Sequence, residues 1–126
     1  MNVFDASAVL ATLLDEPGGE ACAKLMESGA GMIGSVNYVE VMTKLFDLGV
    51  SQADAATAWH NLPLDIEPLD AATALTAARL RPLTRALGLS LGDRCCLALA
   101  QARDAAVVTA DRQWKKLKGF DVVLIR

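Results

Sequence analysis

Four carboxylates carry the chemical interest of this sequence: Asp5 in NVFDASA, Glu40 in VNYVEVMTKLF, Asp93 in SLGDRCC and Asp111 in VVTADRQW. Each has an ordinary structural reading. Asp5 and Asp111 stand where they could cap a following helix. Ser90-x-x-Asp93 has the spacing of a capping box, and an acid in a first helical turn suits the helix dipole. Glu40 precedes Lys44 by four positions, the spacing of a surface ion pair. Other features oppose these readings. Val36, Val39, Met42 and Phe46 surround Glu40 in the sequence, and Asp93 heads the most apolar helix of the chain. An acid there pays for its lost hydration unless something positive compensates it. Oxygen ligands without histidine or thiolate suit Mg²⁺ or Mn²⁺ rather than zinc. Such an ion lowers the pKa of water and stabilises charge developing on a phosphodiester, and a second ion about 4 Å away stabilises the leaving oxygen. Four converging acids are thus what a metal-dependent nuclease requires.

Convergence depends on the elements that carry these residues, and the chain alternates strand and helix. Residues 2–5 read as a strand and 6–14 as a helix ended by Asp15-Glu16-Pro17-Gly18. A helix over about 19–28 closes at Gly29-Ala30-Gly31, and 31–34 is a short strand. Ser35 offers an N-cap for a helix to Leu48 with Gly49 as its C-cap, and Ser51 caps another over about 52–61. Residues 64–69 form a strand, and Asp70 caps an Ala-rich helix to about Arg81. Pro82 and Gly88 break the next stretch. Residues 90–102 form a buried helix, and 105–110 and 121–125 are short β-branched strands. Strands separated by helices pair in parallel through right-handed crossovers. The expected fold is therefore α/β, a three-layer α/β/α sandwich around a central parallel sheet of four to five strands, in a single domain over 1–126. Ligands bind open sheets of this kind at the C-terminal strand ends, which places Asp5 and Asp111 near one another.

Composition sets limits on function. The chain has 126 residues, 53% hydrophobic and 21% charged, which suffices for one folded core. No apolar run approaches the roughly 18–20 residues of a membrane span. The N-terminus lacks the basic region of a signal peptide, so the expected location is cytoplasmic. Cys22, Cys95 and Cys96 suit neither a disulfide framework nor a zinc site, and the adjacent pair reads as small buried hydrophobes. His60, the one histidine, reads as a partly exposed helix position rather than a metal ligand or triad member. The formal charge of −3 becomes +1 once the four acids are set aside, so the remaining surface does not repel nucleic acid. Arg79, Arg81, Arg85 and Arg94 flank Asp93, while Arg112, Lys115, Lys116 and Lys118 follow Asp111. Arg85, Arg94, Arg112 and Lys115 are the foremost candidate phosphate contacts, with solvated helix faces as the alternative. Trp114 reads as core or interface, with base stacking the alternative.

In order and spacing, NVFDASAVLA, NYVEVMTKL, LSLGDRCCLALA and VVTADRQWKKL resemble the PIN-domain family, specifically VapC-type toxins of bacterial toxin–antitoxin pairs. The resemblance spans essentially the whole chain. It implies a PIN fold and a Mg²⁺-dependent endoribonuclease, with Mn²⁺ as substitute, and makes Asp5, Glu40, Asp93 and Asp111 an acidic quartet. Asp5 and Asp93 would ligate metal directly, and Glu40 and Asp111 directly or through water. Ser7 and Thr109 match small hydroxyl positions beside the site, although Ser7 could equally cap the first helix. An RNA substrate, a cognate antitoxin whose C-terminal segment covers the acids, and a toxin homodimer are also implied. Tyr38, Val41, Leu45, Leu48 and Trp59 hint at such an interface, with core packing as the alternative. Two rival readings stand: a phosphate-transfer domain using strand-end aspartates, and a catalytically inactive PIN-like module that only binds a protein.

Overall fold

Short runs of β-branched residues build the sheet. In the computed structural model, which describes residues 1–126, five strands form: β1 (Asn2–Phe4), β2 (Gly31–Gly34), β3 (Leu64–Glu67), β4 (Ala106–Thr109) and β5 (Val122–Leu124). All pair in parallel, in the order β3-β2-β1-β4-β5. Val3 lies opposite Val107 and Phe4 opposite Val108. Successive side chains point to opposite faces, and the core divides accordingly. Phe4, Ile33 and Val108 pack with α1 (Ala6–Leu13), α2 (Gly19–Glu27), α3 (Ser35–Asp47) and α4 (Gln52–His60). Val3, Met32, Val107 and Val122 pack with α5 (Ala71–Arg79) and α7 (Leu91–Arg103), and α6 (Arg81–Thr84) links those two helices. The three layers and the parallel sheet are those expected.

The winding locates the functional edge. From β1 the chain steps outward to β2 and β3, then returns across the sheet to β4 and continues to β5 on the other side. The direction of winding reverses between β1 and β4, and a crevice opens at the C-terminal ends of strands flanking such a reversal. Asp5 follows β1 there, and Asp111 follows β4 by one intervening residue.

Helix boundaries follow local capping, with one correction. Ser51 accepts a hydrogen bond from Asp54 N at 3.1 Å, and Asp70 from Thr73 N at 2.7 Å. Ser90 and Asp93 form the reciprocal capping box. Ser35, however, does not cap α3: Gly34 occupies the N-cap position, and Ser35 Oγ accepts from Leu69 N at 3.1 Å. The hydroxyl ties the loop after β3 to the neighbouring strand end instead. Trp114 is fully buried in the 3-10 turn Arg112–Lys116, so it is core and presents no stacking face. Most of the expected interface residues are core too: Val41, Leu45 and Trp59 are buried, and Tyr38 meets Trp59 edge to face at 4.7 Å. Leu48 alone of that group is exposed. No helix is long and apolar enough to cross a membrane.

Trp114 fixes the turn after Asp111 to the face that also holds Leu97 and Val107. Trp114→Ala should cost about 3–5 kcal/mol of unfolding free energy, read from urea denaturation. A loss under about 1 kcal/mol would show that the turn contributes little to the core.

Candidate active site

Asp5 occupies the N-cap position of α1 but makes no cap with its side chain. Its Oδ2 instead accepts from Ser7 Oγ at 2.7 Å and from Thr109 Oγ1 at 3.0 Å. Ser7 lies 3.2 Å from Thr109 and accepts from Ala110 N at 3.0 Å. These bonds join the ends of β1 and β4 through one carboxylate, which is 4% exposed. Ser7 therefore serves this network rather than capping the helix. Burial pushes the Asp5 pKa up to about 6; the two hydroxyls oppose that rise, while the charges of Asp93 and Glu40 add to it.

Glu40 and Asp93 reach the same place from helices on opposite faces of the sheet. Glu40 forms no ion pair with Lys44. Its Oε1 accepts from Asn37 Nδ2 at 2.8 Å, and its carboxyl end lies over Gly92, where an added Cβ would meet all three carboxyl atoms at 2.5–2.6 Å. Lost hydration at that end raises its pKa above the usual carboxylate value; the Asn37 hydrogen bond opposes the rise and the Asp93 charge adds to it. Asp93 Oδ2 accepts from Ser90 N at 2.9 Å, so this acid is both a helix cap and a member of the charged group. Cys96 in the same helix as Asp93 is wholly buried; desolvation raises its thiol pKa well above the usual range, with the charges of Asp5, Asp93 and Glu40 adding to the rise.

Asp111 stands apart from that trio. Its Oδ1 accepts from Gln113 N at 2.9 Å, which is an N-cap, and only its backbone reaches the network, where Asp111 N donates to Thr109 Oγ1 at 3.1 Å. The short turn starting at Arg112 claims the side chain. Among the basic candidates, Arg94 is turned inward, with Nη1 donating to the Ala77 carbonyl at 3.1 Å and Nε buried without a partner. Lys115 Nζ donates to the Val122 carbonyl at 2.9 Å, and Arg112 Nε to the Arg126 carbonyl at 3.4 Å. Arg85 is exposed and makes no side-chain hydrogen bond or ion pair. Of the four, only Arg85 is fully uncommitted. Asn37 is the site residue that the sequence reading missed; its signal is the i,i+3 spacing to Glu40 on one helix face.

The molecule contains two ion pairs, Arg103–Glu67 and Arg126–Glu16, and neither involves a site acid. Three mutually repelling carboxylates with no protein cation are suited to a bound cation, and their all-oxygen chemistry fits a hard divalent one. As the side chains stand, no group of three or more His, Cys, Asp and Glu is arranged to hold a metal ion.

A family model described as the PIN domain matches residues 3–119. The chain belongs to the PIN-domain family. Solved structures similar in fold include a toxin–antitoxin complex from Klebsiella pneumoniae, at TM-score 0.76 and 18% identity, covering 100% of this chain and 98% of that one. DNA-bound VapBC from Salmonella typhimurium is similar at TM-score 0.74 and 17% identity, covering 99% and 98%. VapC20 from Mycobacterium tuberculosis, a sarcin-ricin loop cleaving toxin, is similar at TM-score 0.75 and 16% identity, covering 95% and 96%. At these identities the likeness concerns the PIN fold. Curated proteins yield no significant match.

The raised Asp5 pKa sets a pH dependence of stability. With the folded value near 6 and the unfolded value near 3.8, the neutral carboxyl is favoured in the native state. That contribution is fully present below about pH 4 and is lost as pH rises through 6. In chelator at pH 8, Asp5→Asn should therefore be about 1–3 kcal/mol more stable than wild type, with the gap closing toward pH 4. Urea melts across that range check it, and a gap independent of pH would contradict the assignment.

Proposed function

We propose that this PIN-domain protein is a metal-dependent endoribonuclease acting as the VapC-type toxin of a toxin–antitoxin pair. The observation that carries the reading is the buried Asp5 carboxylate at the sheet's reversal point, tied to β4 through Thr109, with the Glu40 carboxyl end held against Gly92 next to Asp93 and no ion pair to any of the three. A plain set of helix caps would not bury Asp5, leave it without a capping bond and tie it to β4.

Asp5 and Asp93 would hold Mg²⁺ or Mn²⁺ directly, and Glu40 would take part directly or through water. Such an ion, when bound, supplies activation of water and stabilisation of charge on the phosphodiester. Ser7 and Thr109 hold the Asp5 carboxylate in one orientation, so that its lone pairs are directed before substrate arrives. Asp111, whose backbone N donates to Thr109 Oγ1, would take part from the rim, directly or through metal-bound water. Arg85 is the freest of the proposed RNA contacts to meet a phosphate, since Arg94, Lys115 and Arg112 each bond a backbone carbonyl. An antitoxin partner and a homodimer are parts of the same proposal. Its support is the PIN family match together with the toxin–antitoxin complexes that share the fold.

Wild type and Asp5→Asn expressed from a tight promoter separate a nuclease from a binding module. Growth arrest with discrete new RNA 5′ ends is expected for wild type only, and the ends identify the RNA. Purified Asp93→Asn should cleave that RNA on the order of 10²-fold more slowly, the scale of losing one catalytic group. Equal harmlessness of both folded proteins, with no new ends, would return the acids to a binding role.

A further inference from the structure

Asn37 is fully buried on α3, one turn before Glu40. Its amide nitrogen donates to Glu40 Oε1 at 2.8 Å and to the Gly92 carbonyl at 3.0 Å. Both partners are acceptors without a proton to offer. The amide therefore has one workable orientation, because turning it over would set its own oxygen against two others. Its remaining atom, Oδ1, is buried without a protein partner. Asn37 also lines a cavity of about 10 Å³, roughly the space of one water, together with Gly34, Thr73 and Cys95. An unpaired buried amide oxygen costs stability, so packing alone does not account for asparagine here.

Gly92 closes the other side of the same carboxylate. A Cβ at this position would lie 2.5 Å from Glu40 Oε2 and 2.6 Å from Oε1. Any side chain would push the carboxylate out of its place. The Gly92 carbonyl meanwhile accepts from Asn37, so α3 and α7 grip Glu40 by one hydrogen bond and one close approach.

Building on the metal-dependent reading above, we infer that Asn37 is a positioning residue which, with Gly92, clamps the Glu40 carboxylate beside Asp93 so that Oε2 serves the divalent cation. No side-chain or backbone hydrogen bond engages that oxygen. Asn37 acts only through Glu40 and touches neither the cation nor the RNA. Serine is too short to span both acceptors, and aspartate would place charge against them.

The test is Mn²⁺ binding to the full chain, followed by electron paramagnetic resonance of the free ion at neutral pH. Asn37→Leu, which preserves shape and removes the donor, should lower Mn²⁺ affinity about 10–100-fold, the usual effect of losing a bond that orients a ligand. In a Glu40→Ala background the same change should cost nothing further, because the group it positions is gone. Gly92→Ala provides a second route if Asn37→Leu fails to fold. It leaves the donor intact, displaces the carboxylate, and should show the same loss and the same dependence on Glu40. Unchanged affinity in a folded Asn37→Leu or Gly92→Ala protein, or an equal loss with and without Glu40, would overturn the clamp while leaving the metal site standing. Wild type that binds no Mn²⁺ would overturn both.

Discussion

A carboxylate held away from water is the constraint around which this molecule is arranged. Asp5 sits 4% exposed at the end of a central strand, where its charge is costly. Two hydroxyls offset part of that cost, and each comes from a different element: Ser7 from α1 and Thr109 from β4. The bond from Thr109 requires β4 to lie beside β1 in the observed register, so the sheet order and the acid's environment are one requirement. The helices then bring Glu40 and Asp93 toward it from opposite faces, which raises the electrostatic cost further. Stability alone does not explain that convergence; the proposed cation would offset its cost.

Much of the fold was legible because its signals are local. β-branched runs, Gly turns and the caps at Ser51, Asp70 and Ser90 each act within a few residues. The alternation of Val3 with Phe4 and of Val107 with Val108 is enough to show strands buried on both faces. Ser35 was misread because a serine before a helix is indistinguishable from a cap until the loop at Leu69 comes near it.

The site was legible in its acids but not in their relations. Sequence placed Asp5 and Asp111 on the same edge and offered both as helix caps; it did not show that Asp111 makes that cap while Asp5 does not. Nor did it separate Arg85, which is uncommitted, from Arg94, which reaches back to Ala77 across the α5–α7 contact. Arginine offers the same charge in either case, and the difference lies in packing from a remote segment. Asn37 was missed for a similar reason, since its second partner, the Gly92 carbonyl, lies 55 positions away.

The strand order also bears on how the protein leaves the ribosome. β1 is made first, yet its inner neighbour β4 is not complete until residue 109 of 126. Until then the strand has one partner instead of two, and Asp5 has no Thr109. Long-range parallel pairing of this kind is slow, and it waits for the distant segment to arrive. A chain that has not yet paired β4 thus carries Asp5 without the surroundings that orient it. The acidic crevice takes its final form only once β4 has paired with β1, so the surroundings of Asp5 are completed by Thr109, 104 positions away.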